Sequence, residues 1–322
     1  MACYRCCARR TLNGMVEIPT PADLSEAYAA VRAQLAPTPL VHSRDGLSVK
    51  LECWQPTGSF KVRGAIAALS ALPKRTPVVT ASTGNHALAV AWAAERLGIE
   101  ATVVVPQTAS PAKLTALAAL NGRVVRHGAD FDAAESHALD LAARGATYVS
   151  PYNHTRVIAG QSTLGRELGE QVEGAFTVVV PVGGGGLASG LALWAAGRDG
   201  VRVIGVEAAA SRAVSAAMAA GTTVTVPVGP TLADALAGNV EPGSVTPGIL
   251  AAQGVPVLGV SEEDIRGAMR YLVRVHGLAV EGGGAVAVAA VLSGAVESTG
   301  PVVAVVTGRN VALPTLAQVL GG

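Results

Sequence analysis

Apolar positions along the chain follow two alternating patterns. Short runs of β-branched and small apolar residues give way to longer stretches in which alanine, leucine and valine recur at helical spacing. Pro77 to Ala81 reads as a short buried strand, and His86 to Leu97 as a helix stopped at Gly98. Ala101 to Pro106 is the next strand. Ser110-Pro111 then opens a helix, with an N-cap residue followed by proline in the first turn. Arg123 to His127 is a strand, Asp130 to Arg144 a helix and Thr147 to Pro151 a further strand. The rhythm resumes with a strand from Thr177 to Val182, a glycine run, and a helix from Leu187 to Ala196. Val201 to Glu207 is a strand, Ser211 to Ala220 a helix and Pro256 to Val260 a strand. Ser261 starts another helix in the Ser-x-x-Asp264 pattern of a capping box, and Pro301 to Val306 is the last strand.

Strands and helices that alternate in this way build parallel sheets covered on both faces. The expected fold class is therefore α/β, in two lobes, each an open, mostly parallel, twisted sheet covered by helices. Residues 15–76 and 153–322 are assigned to a larger domain and 77–152 to a smaller one, with residues 1–14 as a disordered leader. Ligands in such folds collect at the carboxyl ends of strands.

Composition changes the picture in one respect. Hydrophobic residues make up 50% and charged residues 15% of the chain, the latter against the usual ~25%. That balance raises the question of a membrane protein. The longest uncharged stretches answer it, because Thr177 to Gly197 is interrupted by Gly183, Gly184, Gly185 and Gly186, whereas a spanning helix needs ~20 uninterrupted residues. No membrane association is expected. Lys+Arg 24 against Asp+Glu 23, with no basic stripe, argues against nucleic acid. Three of the four cysteines crowd the N-terminus, and Cys3-x-x-Cys6 is only half of a zinc pattern, so no metal is expected. The N-terminal segment lacks the apolar core of a secretory signal, which points to a cytoplasmic protein. Met15, where patterned sequence begins, is a candidate alternative start.

Four segments carry candidate chemistry. Lysine is scarce, and Lys61 stands in Gly58-Ser59-Phe60-Lys61-Val62-Arg63-Gly64-Ala65, just ahead of an alanine-rich helical run that Ser59 or Thr57 is placed to cap. A lysine in the first turn of a helix faces the positive end of the dipole, which disfavours its ammonium form. A free amine is what Schiff-base chemistry requires. Ser82-Thr83-Gly84-Asn85-His86 joins a strand to a helix, where backbone N–H groups bind a small carboxylate. Gly183-Gly184-Gly185-Gly186-Leu187 lets backbone amides close around a phosphate. Gly183-x-Gly185-x-x-Ala188, with Glu207 ending the next strand, equally satisfies the dinucleotide fingerprint, so a nicotinamide oxidoreductase built on Gly183 to Glu207 stays open at this point. Thr307-Gly308-Arg309-Asn310 follows the last strand and offers a hydroxyl to a heterocyclic nitrogen.

Taken in order, these segments resemble the fold-type II pyridoxal-phosphate (PLP) enzymes of the serine/threonine dehydratase (ammonia-lyase) and serine racemase family, whose fold is tryptophan synthase β-like. The resemblance also rests on Ala159-Gly160-Gln161, Ala233-Asp234 and Glu281, and covers about nine-tenths of the chain. It implies that Lys61 holds PLP as a Schiff base and removes the Cα proton of a small amino-acid substrate. It implies that Phe60, Asn85, Gly183, Gly184, Gly185, Gly186, Leu187, Glu281 and Thr307 contact the cofactor. Ser82, Thr83, Gly84, Asn85 and His86 line the substrate carboxylate site. The implied reaction is β-elimination from L-serine or L-threonine, giving a 2-oxo acid and ammonia, by a homodimer. Lys61 and Thr83 on opposite faces of the substrate would alternatively make a racemase. Arg212 and Ala213 stand where the family's divalent-cation site expects a second carboxylate near Glu207, which again argues against a metal. The sequence ends soon after Asn310, leaving no room for the regulatory domain of biosynthetic threonine dehydratases.

The remaining conspicuous residues read as structural. His127 and His137 have no ligand spacing between them and are taken as surface histidines; His42, His154 and His276 as caps or packing. Trp54, Trp92 and Trp194 are taken as core or interface, and Cys53 as a small buried apolar residue.

Overall fold

The computed structural model describes residues 16–43, 46–109, 114, 115, 117 and 122–321. The leader, Met15 and the Ser110-Pro111 helix start lie outside the described residues. The runs of small β-branched residues pair into two sheets. In the larger, β1 (Leu40–His42) folds back antiparallel on β2 (Leu47–Lys50). Every other pairing is parallel, in the order β1-β2-β10-β7-β8-β9, with β7 (Phe176–Pro181), β8 (Val201–Ala208), β9 (Val257–Val260) and β10 (Val302–Val305). The smaller sheet runs β5-β4-β3-β6, all parallel, from β3 (Val78–Ala81), β4 (Ala101–Val105), β5 (Arg123–Arg126) and β6 (Thr147–Tyr148). The chain leaves the larger sheet after β2, builds the smaller one, and returns to lay down β7; β10 then fills the place between β2 and β7.

The helices are α1 (Pro21–Arg32), α2 (Lys61–Ser70), α3 (Asn85–Leu97), α4 (Phe131–Ala143), α5 (Thr155–Gln171), α6 (Gly186–Ala195), α7 (Ala213–Ala220), α8 (Thr246–Ala252), α9 (Glu262–His276), α10 (Gly282–Leu292) and α11 (Leu313–Gly321). The capping box at Ser261 forms as expected, with Asp264 as its partner. A second one, Thr20 with Asp23, opens α1. Gly98 ends α3 in the left-handed conformation. α5 packs tightly against α2: a side chain at Gly160 would overlap the backbone of Arg63 and Gly64. No described helix is long and apolar enough to cross a membrane.

Three expectations shift. Neither Ser59 nor Thr57 caps α2, which starts after Phe60 without a side-chain cap. Ser59 is instead bridged to Gly308, and Thr57 bonds the Ser59 carbonyl at 3.4 Å. β6 ends at Tyr148 rather than Pro151, because the chain turns into the site there. α7 starts two residues later than expected, since the Glu207 carboxylate accepts from the amides of Val214 and Ser215 at 2.8 and 3.3 Å and thereby fixes its first turn.

Beneath Lys61 lies a buried ionic cluster. Arg63 binds Glu52 with Nε at 2.6 Å and Nη2 at 2.8 Å, and Glu167 with Nη1 at 2.8 Å and Nη2 at 2.9 Å. Lys50 donates to Glu167 at 2.8 Å, to the Thr38 carbonyl at 2.7 Å and to Gln171 at 2.8 Å. All four charged side chains are 1% exposed or less. Two cations match two anions, which is the condition for keeping charge out of water.

Candidate active site

Lys61 is the first residue of α2, and its Nζ donates to the Pro151 carbonyl at 2.8 Å. Burial pushes its pKa down to about 8, with the Glu281 carboxylate pulling the other way. The Phe60 ring lies 5.1 Å from the same nitrogen. The last strand completes the surroundings, because the Phe60 amide donates to the Thr307 carbonyl at 3.0 Å.

Across the cleft, Ser82, Thr83 and Gly84 lead into α3, which no side chain caps. Its first-turn amides are therefore open to an anion. Asn85 is held from two sides: its Nδ2 donates to Glu281 Oε1 at 2.6 Å, and its Oδ1 accepts from Asn310 at 2.6 Å. Burial raises Glu281 to about 7, opposed by the Asn85 bond and reinforced by Asp234. Gly308 gives this carboxylate its space, since a side chain there would overlap Glu281 Oε1.

His86 is buried, and its Nε2 lies 2.9 Å from the Val149 carbonyl. A carbonyl only accepts, so Nε2 carries the proton and Nδ1 is a bare acceptor, buried with no partner. Burial, and next the charge of Lys61, push its pKa down to about 3. His86 therefore stays neutral, and the positive field at this loop comes from backbone amides rather than imidazolium.

The glycine run forms the third wall. Gly185 has φ +83° and stands ahead of α6, which has no side-chain cap. Thr246 Oγ1 donates to the Gly184 carbonyl at 2.7 Å. Thr307 is buried, with its hydroxyl 3.3 Å from the Gly283 carbonyl. These residues suit PLP: a glycine-built, uncapped helix N-terminus for a phosphate, a buried amine of lowered pKa for an aldehyde, and an amide and a hydroxyl for a pyridine ring.

Through these contacts Phe60, Lys61, Asn85, Glu281 and Thr307 lie near one another, with Ser82, Thr83, Gly84 and His86 on the α3 side and Gly183 to Leu187 at the start of α6. Glu207 does not join them. Its carboxylate is occupied by the first turn of α7 and by Arg212 at 3.5 Å, so it is not free to clamp a ribose. Pro151 and Tyr152 escaped the sequence reading. Nothing local marks them, because their place depends on the chain's return from the smaller sheet. Trp54 is 56% exposed and so is not core. His154 is a cap, its Nδ1 accepting from Arg156 N at 3.2 Å.

A buried amine at a helix start, with two uncapped helix N-termini in the same region, suits an enzyme that uses a phosphorylated aldehyde. The chain belongs to the family described as pyridoxal-phosphate dependent enzymes, whose profile matches residues 31–308. That membership overturns the nicotinamide alternative. The chain is 36% identical over 312 residues to the L-threonine ammonia-lyase of Geobacter sulfurreducens, covering 92% of this chain and 77% of that protein. Among solved structures, maize serine racemase superposes with a TM-score of 0.87 at 31% identity, covering 94% of this chain and 97% of the other. The processed form of threonine deaminase isoform 2 from Solanum lycopersicum superposes with a TM-score of 0.85 at 29% identity, covering 96% of both chains.

Proposed function

We propose that the protein removes water and ammonia from a small hydroxy amino acid such as L-serine or L-threonine, leaving a 2-oxo acid. The observation that carries this is Lys61, a buried amine with a pKa of about 8 at the meeting point of three anion- and ring-binding elements. When bound, PLP supplies an electron sink for charge developing at the substrate Cα. Lys61 would hold the cofactor's aldehyde and, as a free amine, would take the Cα proton; its lowered pKa raises the fraction of free amine at neutral pH. The substrate carboxylate would sit on the segment Ser82, Thr83, Gly84, Asn85 and His86, where the uncapped first turn of α3 offers its amides, while the Ser82 amide is held by the Val104 carbonyl and the Gly84 amide by the Ser82 hydroxyl. Gly183, Gly184, Gly185, Gly186 and Leu187 hold the cofactor phosphate. Asn85 orients the ring hydroxyl, with Glu281 behind it. Phe60 would flank the cofactor, and Thr307, whose hydroxyl now donates to the Gly283 carbonyl, would offer the pyridine nitrogen a group too weakly acidic to protonate it, which would keep charge near Cα and favour loss of the β-hydroxyl.

The supporting test is a visible spectrum before and after borohydride, with mass mapping. A band that bleaches and a pyridoxyl mass on Lys61 are expected, together with loss of turnover in Lys61→Ala. Label on another residue, or substantial activity in that variant, overturns the assignment.

A racemase activity is the second reading, supported by the Thr83 hydroxyl at the cleft and by the likeness to maize serine racemase. It requires Thr83→Val to lose racemisation of serine while retaining elimination. The division at residues 77 and 152 into two domains, homodimer formation and a cytoplasmic setting complete the proposal; equilibrium sedimentation tests the dimer.

A further inference from the structure

Tyr152 lies on the segment returning from the smaller sheet, between the two halves of the site. Its neighbour Pro151 accepts the Lys61 hydrogen bond at 2.8 Å. Its ring lies against Gly184, so closely that a methyl group there would overlap Cγ, Cδ1 and Cδ2 alike, the signature of contact with the ring face. A methyl on Gly186 would approach the Cα, Cβ and carbonyl oxygen of Tyr152 at 3.0 Å. The Tyr152 hydroxyl accepts from the Glu241 amide at 2.8 Å, and Asn153 Oδ1 accepts from the Val245 amide at 3.1 Å. Thr246, next in that strand of contacts, donates to the Gly184 carbonyl at 2.7 Å. The glycine loop is thereby gripped between an aromatic ring and a hydroxyl, both tied to residues 241–246.

The glycines differ in what they need. Gly185 has φ +83°, a conformation in which any side chain is strained. Gly184 is not among the residues of positive φ, so its backbone alone accepts alanine. What excludes a side chain at 184 is the Tyr152 ring.

We propose that Tyr152 is a positioning residue: its ring sets the glycine loop at a fixed distance from Lys61, and position 184 is glycine in order to receive it. This rests on the reading of Gly183 to Leu187 as the phosphate loop. Through Pro151 and Tyr152, adjacent residues fix both ends of the cofactor site, the amine that takes the aldehyde and the amides that take the phosphate.

The test is PLP retention by the loaded enzyme in equilibrium dialysis, for wild type, Gly184→Ala, Tyr152→Ala, Gly184→Ala/Tyr152→Ala, Gly185→Ala and Gly185→Ala/Tyr152→Ala. Gly184→Ala should weaken retention about tenfold or more, and on the Tyr152→Ala background that loss should shrink to about twofold or less, the non-additivity that contact partners show. The Gly185→Ala loss should be the same on both backgrounds. Tyr152→Phe, which keeps the ring, should stay within about threefold of wild type. If Gly184→Ala alone fails to fold, recovery of a folded, PLP-loaded protein in the double variant is the expected result. A Gly184→Ala loss, or folding failure, undiminished in the double variant overturns the role of Tyr152. If neither Gly184→Ala nor Gly185→Ala affects retention, the phosphate-loop reading itself is wrong.

Discussion

Replacing Glu167 by glutamine should be among the most destabilising single changes in the molecule, and its cost should fall at high pH. Glu167 is 1% exposed and balances Lys50 and Arg63, with Glu52 as the second anion. Glutamine keeps the volume but leaves one buried positive charge in excess. It also turns an NH2 group toward the donors of Lys50, Arg63 and the Thr38 amide, which lies 3.2 Å from Glu167. Breaking such a buried pair costs about 3–5 kcal/mol. The cluster has one escape: Lys50, whose pKa burial already lowers against the pull of Glu167, can shed its proton. From an ordinary value of 10.5, deprotonation at pH 7 costs about 5 kcal/mol, and at pH 9 about 2 kcal/mol. The sign follows. The unfolded chain keeps the lysine proton and the folded variant does not, so stability of the variant rises with pH up to the ordinary lysine value. Urea unfolding at pH 7 and pH 9 reads both numbers. Lys50→Met/Glu167→Gln, which restores charge balance between Arg63 and Glu52, should be less destabilised at pH 7 than Glu167→Gln alone. A single-variant loss below about 1 kcal/mol, or a double variant whose losses simply add, would refute the charge-balance argument.

Other consequences are open to direct measurement. The rate at which cofactor-stripped protein captures PLP should climb about tenfold per pH unit below 8 and level off above it, following the Lys61 amine; Glu281→Gln removes the group that raises Lys61 and should move the inflection to lower pH, a move upward being the contrary result. Gly165→Ala places a methyl into the Trp194 ring and should cost about 1–3 kcal/mol in thermal unfolding, less in Gly165→Ala/Trp194→Leu. The His127 and His137 rings are stacked at 4.0 Å, and burial together with His127 lowers the His137 pKa. The unfolded chain therefore takes up the proton first as pH drops below about 6.5, and the unfolding midpoint should fall there, with a smaller fall in His127→Gln.

Where neighbours in sequence decide the structure, it was legible in advance. β3, β4, β7 and β8 are runs of small apolar residues whose burial on both faces a parallel sheet demands, and the Ser261 cap is purely local. The Asn85 and glycine segments are strand-to-helix turns, as their sequence suggests, and Lys61 opens the helix that its alanine-rich run predicts, although a 3-10 turn at Glu52–Trp54 separates it from β2. β2 was not legible, because Leu47-Ser48-Val49-Lys50 carries polar residues into the core, where Lys50 is held by Glu167 and Gln171, both far along the chain, and by the Thr38 carbonyl. α10 begins with Gly282-Gly283-Gly284, which reads as loop; those glycines are needed where Gly282 meets the Leu232 backbone and Gly284 meets Gly308. The His127–His137 contact was invisible for want of any spacing rule. Its rings are within 12° of parallel, and two stacked parallel rings cannot both aim lone pairs at one metal ion, so the pair is no chelate.

The late arrival of β10 has a consequence for biosynthesis. The strand between β2 and β7 is the last to be made, and Thr307, Gly308 and Asn310 come with it. Until then β2 and β7 have no shared neighbour, the Phe60 amide lacks the Thr307 carbonyl, and Asn85 lacks Asn310. A chain that lacks β10 still holds every strand of the smaller sheet, whose pairings are closer in sequence than those of β10, but lacks the strand that joins β2 to β7. A chain truncated before β10 is therefore expected to form the smaller sheet yet stay colourless when PLP is added, whereas the full chain turns yellow; a truncated chain that yellows would overturn this.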